Sequence, residues 1–471
     1  MSDPIIDIDL VKDSTMQQIA KSCAAIAANT GGYNITNFKD VQAIVRAGLA
    51  SHFFHIGDQI IAEKETAINA TVGNTDPDTS VGITAATVNA DAFIAAVGVV
   101  HGGDYEFVYN GAEWHYNDAP VQLAAYGITV TGTPAYGDAV IVHETAAKLT
   151  FDVIGIDHDT PSDTQFEHSL TLQLHDCIAE LQYDAAEAFY YAENGLVAGN
   201  YYFTIDPTYD ATYNTYKDTG YQFTLTQDVP AKGVLTFSWG YNAQASAAKV
   251  SSWASTSATT AIESVPVSSG TTGTNLGQLT TAGDAANNIN SIQRVRYGSN
   301  NYVESAMRQY INSSKAAGSV WTPQTKFDRP PSWAATTAGF LFGVDPEFVA
   351  VLGKVKKVTA LNNVSDGGGS VETDEKVFLI SRTEVYMGNE IAGGEGKAYA
   401  YYSNYSDLAA AGTGADTNRI KYRAGAAKYW WLRSPNVGNA CNVRYVLPSG
   451  ALNYGSFATY SAGVAPACVI I

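Results

Sequence analysis

The sequence predicts an α+β chain of several domains, and three observations carry that prediction. At 471 residues the chain exceeds what one ordinary hydrophobic core organises, and roughly two to four domains would be usual. Apolar residues recur at helical spacing in only a few segments. Much of the remainder alternates apolar and polar residues between Gly, Asn, Asp and Pro breaks, the period of half-buried strands.

Taken in order, residues 1–65 read as a helical scaffold segment. Met16, Ile19, Ala20, Cys23 and Ile26 follow the candidate caps Ser14 and Thr15, and Val41, Ile44, Val45 and Leu49 predict a second helix from Asp40. Residues 66–148 read as an inserted β accessory domain, with alternation over 105–109 and an Asn110-Gly111 hairpin turn before Trp114. Residues 149–250 read as a strand over 149–156, a helix over 168–181 carrying Leu170, Leu172, Leu174 and Ile178, and a second β module. Its strands are expected at 201–205, 221–225 and 234–239, so both inserts are small β-sandwich elements. The polar stretch 255–290 predicts no element. In the last segment, 251–471, helices are expected over 303–312 and from Pro346, where proline suits the first turn, with strands at 355–360 and 377–380.

Charge narrows the function classes. Charged residues are 15% of the chain against about 25% in ordinary soluble domains, so the surface is built largely from Tyr, Ser, Thr, Asn and Gly. Such a surface suits adaptable recognition. The net charge of −19 repels phosphate backbones and anionic headgroups, which argues against nucleic acid and membrane partners. No apolar run reaches the length of a membrane span. Cys23, Cys177, Cys441 and Cys468 show no metal-ligand spacing and read as buried free thiols. The N-terminus lacks the basic start and apolar stretch of a secretory signal. A binding surface without an export address fits a virion part released by lysis better than a cellular adhesin.

The most specific residues lie at the C-terminal end: Ser299-Asn300-Asn301-Tyr302 with Ser305, Arg308 and Asn312; Trp321-Thr322-Pro323; Phe327-Asp328; residues 374–381; then Trp430-Trp431-Leu432-Arg433-Ser434-Pro435, closed about thirty residues later by Gly463-Val464-Ala465-Pro466-Ala467. This pattern resembles the C-type-lectin-like variable proteins of phage diversity-generating retroelements, over roughly residues 250–471. The resemblance implies a C-type-lectin-like fold, shared with formylglycine-generating enzymes, for the last domain. It implies a reverse transcriptase that rewrites AAY codons as NNY, which cannot encode Lys, Glu, Gln, Met or Trp. None of those five occurs between Asn436 and Gly463, where the chain's composition would give about three or four.

Carried onto this sequence, the resemblance implies diversified, ligand-facing positions at Asn436, Val437, Asn439, Cys441, Asn442, Tyr445, Leu447, Asn453, Tyr454, Gly455, Ser456, Thr459, Tyr460 and Ala462. Trp430, Trp431, Arg433, Pro435 and Gly463 are scaffold, and Val443, Val446, Leu452, Val464 and Val469 alternate with or flank the variable positions. Ala465 departs from the family, which often has Arg there. The expected function is a non-enzymatic, cofactor-free virion display protein, a trimer held among other virion proteins, that binds a host-cell surface protein or glycan. Tyr445, Tyr454 and Tyr460 are the expected anchors, because aromatic residues dominate binding hot spots.

Two rivals are a purely structural virion component and a metal-dependent enzyme of the formylglycine-generating fold. For the latter, Asp157-His158-Asp159, His168 and His175-Asp176 offer imidazoles and carboxylates, and on a 168–181 helix His168 and His175 would share a face. Such enzymes need paired thiols, and Cys441 and Cys468 are the candidates. Calcium-dependent sugar binding needs carboxylate ligands, which Asn436, Asn439 and Asn442 do not supply.

Overall fold

In the computed structural model, residues 37–73, 81–83, 88–97, 101–206, 220–238, 249–253, 268–269, 271–282, 290–386, 388–402, 417–451 and 454–471 are described. The helix expected around 14–26, Cys23 and most of 255–290 lie outside them. The molecule is of the α+β class, with many strands in several sheets and a few short helices.

The first described helix, Phe38–Arg46, begins where the Asn37 side chain accepts the Asp40 N–H at 2.8 Å. It buries Val41 and Val45, one turn apart, and its first residue packs on Phe348 with ring centroids 4.9 Å apart. From there the chain enters the longest ribbon among the described residues. Gln59–Val72 runs antiparallel to Ala139–Ile156, with a bulge between Glu65 and Ala67.

That ribbon serves two cores. Its outer half, with Asp104–Tyr109 and the following hairpin, covers a cluster of Ile68, Phe93, Phe107, Leu123, Tyr126, Ile128, Val140 and Val142. Asn110 shapes the hairpin as expected, its side chain accepting the Ala112 and Glu113 N–H groups at 2.9 Å each. Its inner half contributes Phe151, Val153 and Ile154 to the main core. A second satellite core holds Phe189, Phe203, Tyr221, Phe223 and Leu235, from Gly199–Ile205, Gly220–Leu225, Gly233–Ser238 and neighbouring segments.

The helix expected over 168–181 is not formed. Residues Leu170–Leu174 and Ala179–Gln182 are strands, with a turn between them. Leu170, Leu172 and Leu174 are spaced by two, the strand period, and Leu170–Leu174 lies between Ala139–Ile156 and Ala467–Ile470 with all five residues buried. Its polar members stay satisfied. Thr171 donates to Asp159, and Gln173 donates to the Ala465 carbonyl at 3.1 Å while accepting from Tyr402.

The later helices are short. Ala306–Ile311 starts three residues beyond the expected point, because the Ser305 hydroxyl caps the Arg308 N–H at 3.1 Å. Pro346–Val351 has its proline in the first turn, and Asp345 caps Glu347 at 2.8 Å. The main core is not confined to 251–471. It gathers Val41, Val45, Leu149, Leu170 and Tyr183 with Trp430, Trp431, Val464 and Ile470.

Buried carboxylates outnumber their cations in one part of this core, and stability should depend on pH as a result. Asp184 is pushed well above the ordinary carboxylate range by burial, and Asp328 and Glu187 beside it push it further. Burial raises Glu187 to about 8 although Arg294 pairs with it, and also raises Asp328 and Asp366. Folded values above the unfolded ones mean that the native state holds protons the unfolded chain releases. This stabilisation is complete below the unfolded carboxylate range and is lost as pH rises toward about 8. The thermal midpoint should therefore be higher at pH 6 than at pH 8.5, and Asp184→Asn should flatten the slope. A midpoint that climbs with pH across that window contradicts the assignment.

Candidate ligand-binding surface

The sequence Trp430–Pro435 forms a strand whose six residues are all buried, which apolar bulk and two satisfied indole donors make possible. Trp430 Nε1 donates to the Arg419 carbonyl at 2.8 Å and Trp431 Nε1 to the Leu181 carbonyl at 3.0 Å. This strand lies inside a five-stranded sheet, ordered Tyr454–Phe457, Asn442–Val446, Trp430–Pro435, Ser461–Val464 and Ala179–Gln182. Trp431 stands opposite Tyr445, and Tyr445 opposite Tyr454. Close packing at Gly463 fits its lack of a side chain: a Cβ there would meet Cys177 Sγ at 2.4 Å and the Tyr429 carbonyl at 2.8 Å.

Beneath the sheet, Arg433 is fully buried. Its guanidinium binds Glu384 and donates to the Leu379 carbonyl at 2.9 Å and the Glu395 carbonyl at 2.8 Å. Lys357, also buried, joins the same Glu384 at 2.9 Å and pairs with Asp159 and Tyr399. Burial alone would raise Asp159 and Glu384, but Lys357 holds Asp159 down and Arg433 with Lys357 holds Glu384 down. Both stay ionised, so the core contains a paired four-charge network.

The loop 436–442 leaves this strand and is held chiefly by its backbone. Asn300, with no exposed surface, directs its amide nitrogen at three carbonyls, those of Asn436 (3.2 Å), Asn439 (2.8 Å) and Asn442 (3.0 Å). Asn362 fixes the Asn300 amide in turn, donating to its carbonyl oxygen at 2.8 Å. Gln293 accepts the Ala440 N–H at 2.7 Å, and Arg444 binds the buried Glu390, which also pairs with Arg382. On the far side Tyr297 stacks on Phe457 at 3.8 Å.

The predicted ligand-facing residues divide into several groups. Tyr460 is 48% exposed, and Val437, Asn442, Tyr445, Leu447, Gly455, Ser456 and Thr459 are half-buried. Asn436 and Asn439 are half-buried too, but their side-chain oxygens turn back on the loop. Asn436 accepts the Gly438 N–H at 3.0 Å, and Asn439 accepts those of Cys441 and Asn442 at 3.2 and 2.7 Å. Cys441 and Ala462 do not face outward: they are 4% and 2% exposed, Cys441 because the turn folds its side chain under the loop, Ala462 because its strand is inside the sheet. Asn453 and Leu452 lie outside the described residues, and Tyr454 is placed only by its strand register.

Asn300, Asn362, Gln293, Arg444 and Glu390 had no assigned role in the sequence reading. The Ser299-Asn300-Asn301-Tyr302 string did mark the right place, but nothing in it shows which amide reaches a loop some 140 residues away. Tyr429, 38% exposed, opens the Tyr429-Trp430-Trp431 motif in the sequence but is not among the expected ligand-facing positions.

The candidate chemical groups are dispersed. His158 stacks on Tyr399, His168 lies 3.2 Å from Asp157, and His175 lies 2.9 Å from Asp152, in three separate pairs. The last two flank a strand, not one helix face. Burial pushes the Cys441 thiol up to about 12 and raises Cys468 further, so neither is a ready thiolate. Among the described residues no group of three or more His, Cys, Asp or Glu side chains is arranged to hold a metal ion, and no helix is long and apolar enough to cross a membrane.

The fold and this surface define a multi-sheet α+β protein whose C-terminal part carries a loop clamped from below. Residues 279–471 match the family profile of a domain of unknown function, DUF6273. No curated protein and no solved structure matches the chain.

Proposed function

We propose that this protein is a non-enzymatic display component of a phage particle. Its C-terminal part is a C-type-lectin-like variable domain that binds a host-cell surface protein or glycan, in a trimer seated among other virion proteins. The observation that carries this reading is the clamp on loop 436–442: Asn300 grips three main-chain carbonyls, which every residue type supplies. A backbone held in this way tolerates changes in outward side chains without refolding, as a diversified binding surface requires. The absence of Lys, Glu, Gln, Met and Trp between Asn436 and Gly463 agrees with it.

The buried Cys441 and Cys468 thiols favour this reading over a formylglycine-generating enzyme, whose chemistry needs accessible thiolates. The discriminating experiment replaces outward residues within 436–462 with those of a second variant, keeping Ala440, Cys441, Val443, Val446, Ala458 and Ala462. Thermal stability should stay within about 1 kcal/mol, while the range of bacterial cells bound by the purified protein should change. Unchanged cell binding would assign the protein a structural role in the particle.

A further inference from the structure

Four aromatic residues cluster at one end of the inner strands of the five-stranded sheet. Trp431 is buried, and around it stand Tyr429, Tyr445 and Tyr460. Tyr429 and Tyr445 meet at 5.3 Å and 82°, Trp431 and Tyr445 at 6.1 Å and 77°, and Trp431 and Tyr460 at 6.5 Å and 85°. Near-perpendicular rings form corners, and Tyr429 and Tyr460 keep large exposed areas there. Ser461, which pairs across strands with Gln182, falls on the Trp430 face of the sheet, and Lys428 is held by Glu180 at 2.7 Å.

We propose that this corner is a carbohydrate subsite that takes a neutral hexopyranose ring, stacked on Tyr429 or Tyr460. The proposal rests on the display reading above and narrows its ligand. A pyranose offers a flat C–H face to an aromatic ring and hydroxyl groups to the tyrosine hydroxyls, so one ligand uses both halves of each side chain. In residues 279–471, every exposed large hydrophobic side chain among the described residues is a tyrosine: Tyr386, Tyr422, Tyr429 and Tyr460. Acidic sugars are disfavoured by the net charge of −19 and by Glu180, which already occupies the nearby Lys428. Tyr429 precedes the 436–462 window, so a fixed anchor works beside exchangeable ones.

The test applies the full-length protein to immobilised neutral hexose and N-acetylhexosamine oligosaccharides, with sialylated and sulfated ones alongside, and titrates the best neutral one. Retention on neutral sugars is expected. Tyr429→Ala or Tyr460→Ala, whichever removes the stacking ring, should weaken it about tenfold, and the matching phenylalanine variant by less, since the ring is kept. Melting of the variants, whose rings are part-exposed, checks the fold. Lack of binding to any neutral oligosaccharide at millimolar concentration, a preference for acidic ones, or binding that persists in the double alanine variant overturns the proposal. If the sugars fail while cell binding still follows the 436–462 segment, the receptor is a protein: the subsite falls and display stands. If tyrosine-dependent sugar binding is found but cell binding ignores the segment, the subsite stands and display falls.

Discussion

Replacing Arg433 with methionine should cost about 3–5 kcal/mol of unfolding free energy, measured by chemical denaturation. The side chain is fully buried, and its guanidinium fork satisfies Glu384 together with the Leu379 and Glu395 carbonyls. Methionine fills much of the volume but removes a donor from the Leu379 and Glu395 carbonyls and leaves Glu384 with Lys357 as its paired cation beside the Ser381 N–H. Arg433→Lys keeps the charge and loses the fork, so it should recover only part of the loss. A methionine variant within 1 kcal/mol of the parent would show that the network contributes little.

Asn300→Leu should have the second large effect, and a different one. Three part-buried carbonyls of loop 436–442 lose the Asn300 amide, and although those of Asn436 and Asn442 keep a main-chain N–H, the loss should cost roughly 2–3 kcal/mol. Amide hydrogen exchange should accelerate in 436–442 and much less in the Trp430–Pro435 strand. Ligand binding should fall although no outward side chain has changed. Asn300→Asp should be worse than leucine in binding, because a carboxylate would face the same carbonyl oxygens. Unaltered exchange in the loop would remove the clamp from the account of this surface.

The sequence was legible where one signal acts over a short range. The Asn110-Gly111 turn, the capped helix after Asn37 and the proline-started helix at Pro346 are each set by residues within four positions. It misled at 168–181, where Leu170, Leu172 and Leu174, counted toward a helix, are spaced by two and form one strand, and Ile178 lies in the turn before the next. Leu170–Leu174 is buried on both faces, which hides strand alternation in the sequence. At the surface, the paired tryptophans marked the floor, but the loop's outward set was overdrawn. Cys441 and Ala462 are inside, and Asn436 and Asn439 turn back on their own loop.

The sequence by itself determined the α+β class, the weakly charged and tyrosine-rich surface, and the buried aromatic strand, because composition and local periodicity fix what must be hidden from water. Only the tertiary structure decided which side chains hold the loop and which remain outward. Asn300 and its carbonyl partners, like Trp431 and the Leu181 carbonyl, are separated by well over a hundred residues. Hydrogen bonds depend on distances of a few ångströms, and chain topology alone brings such partners together.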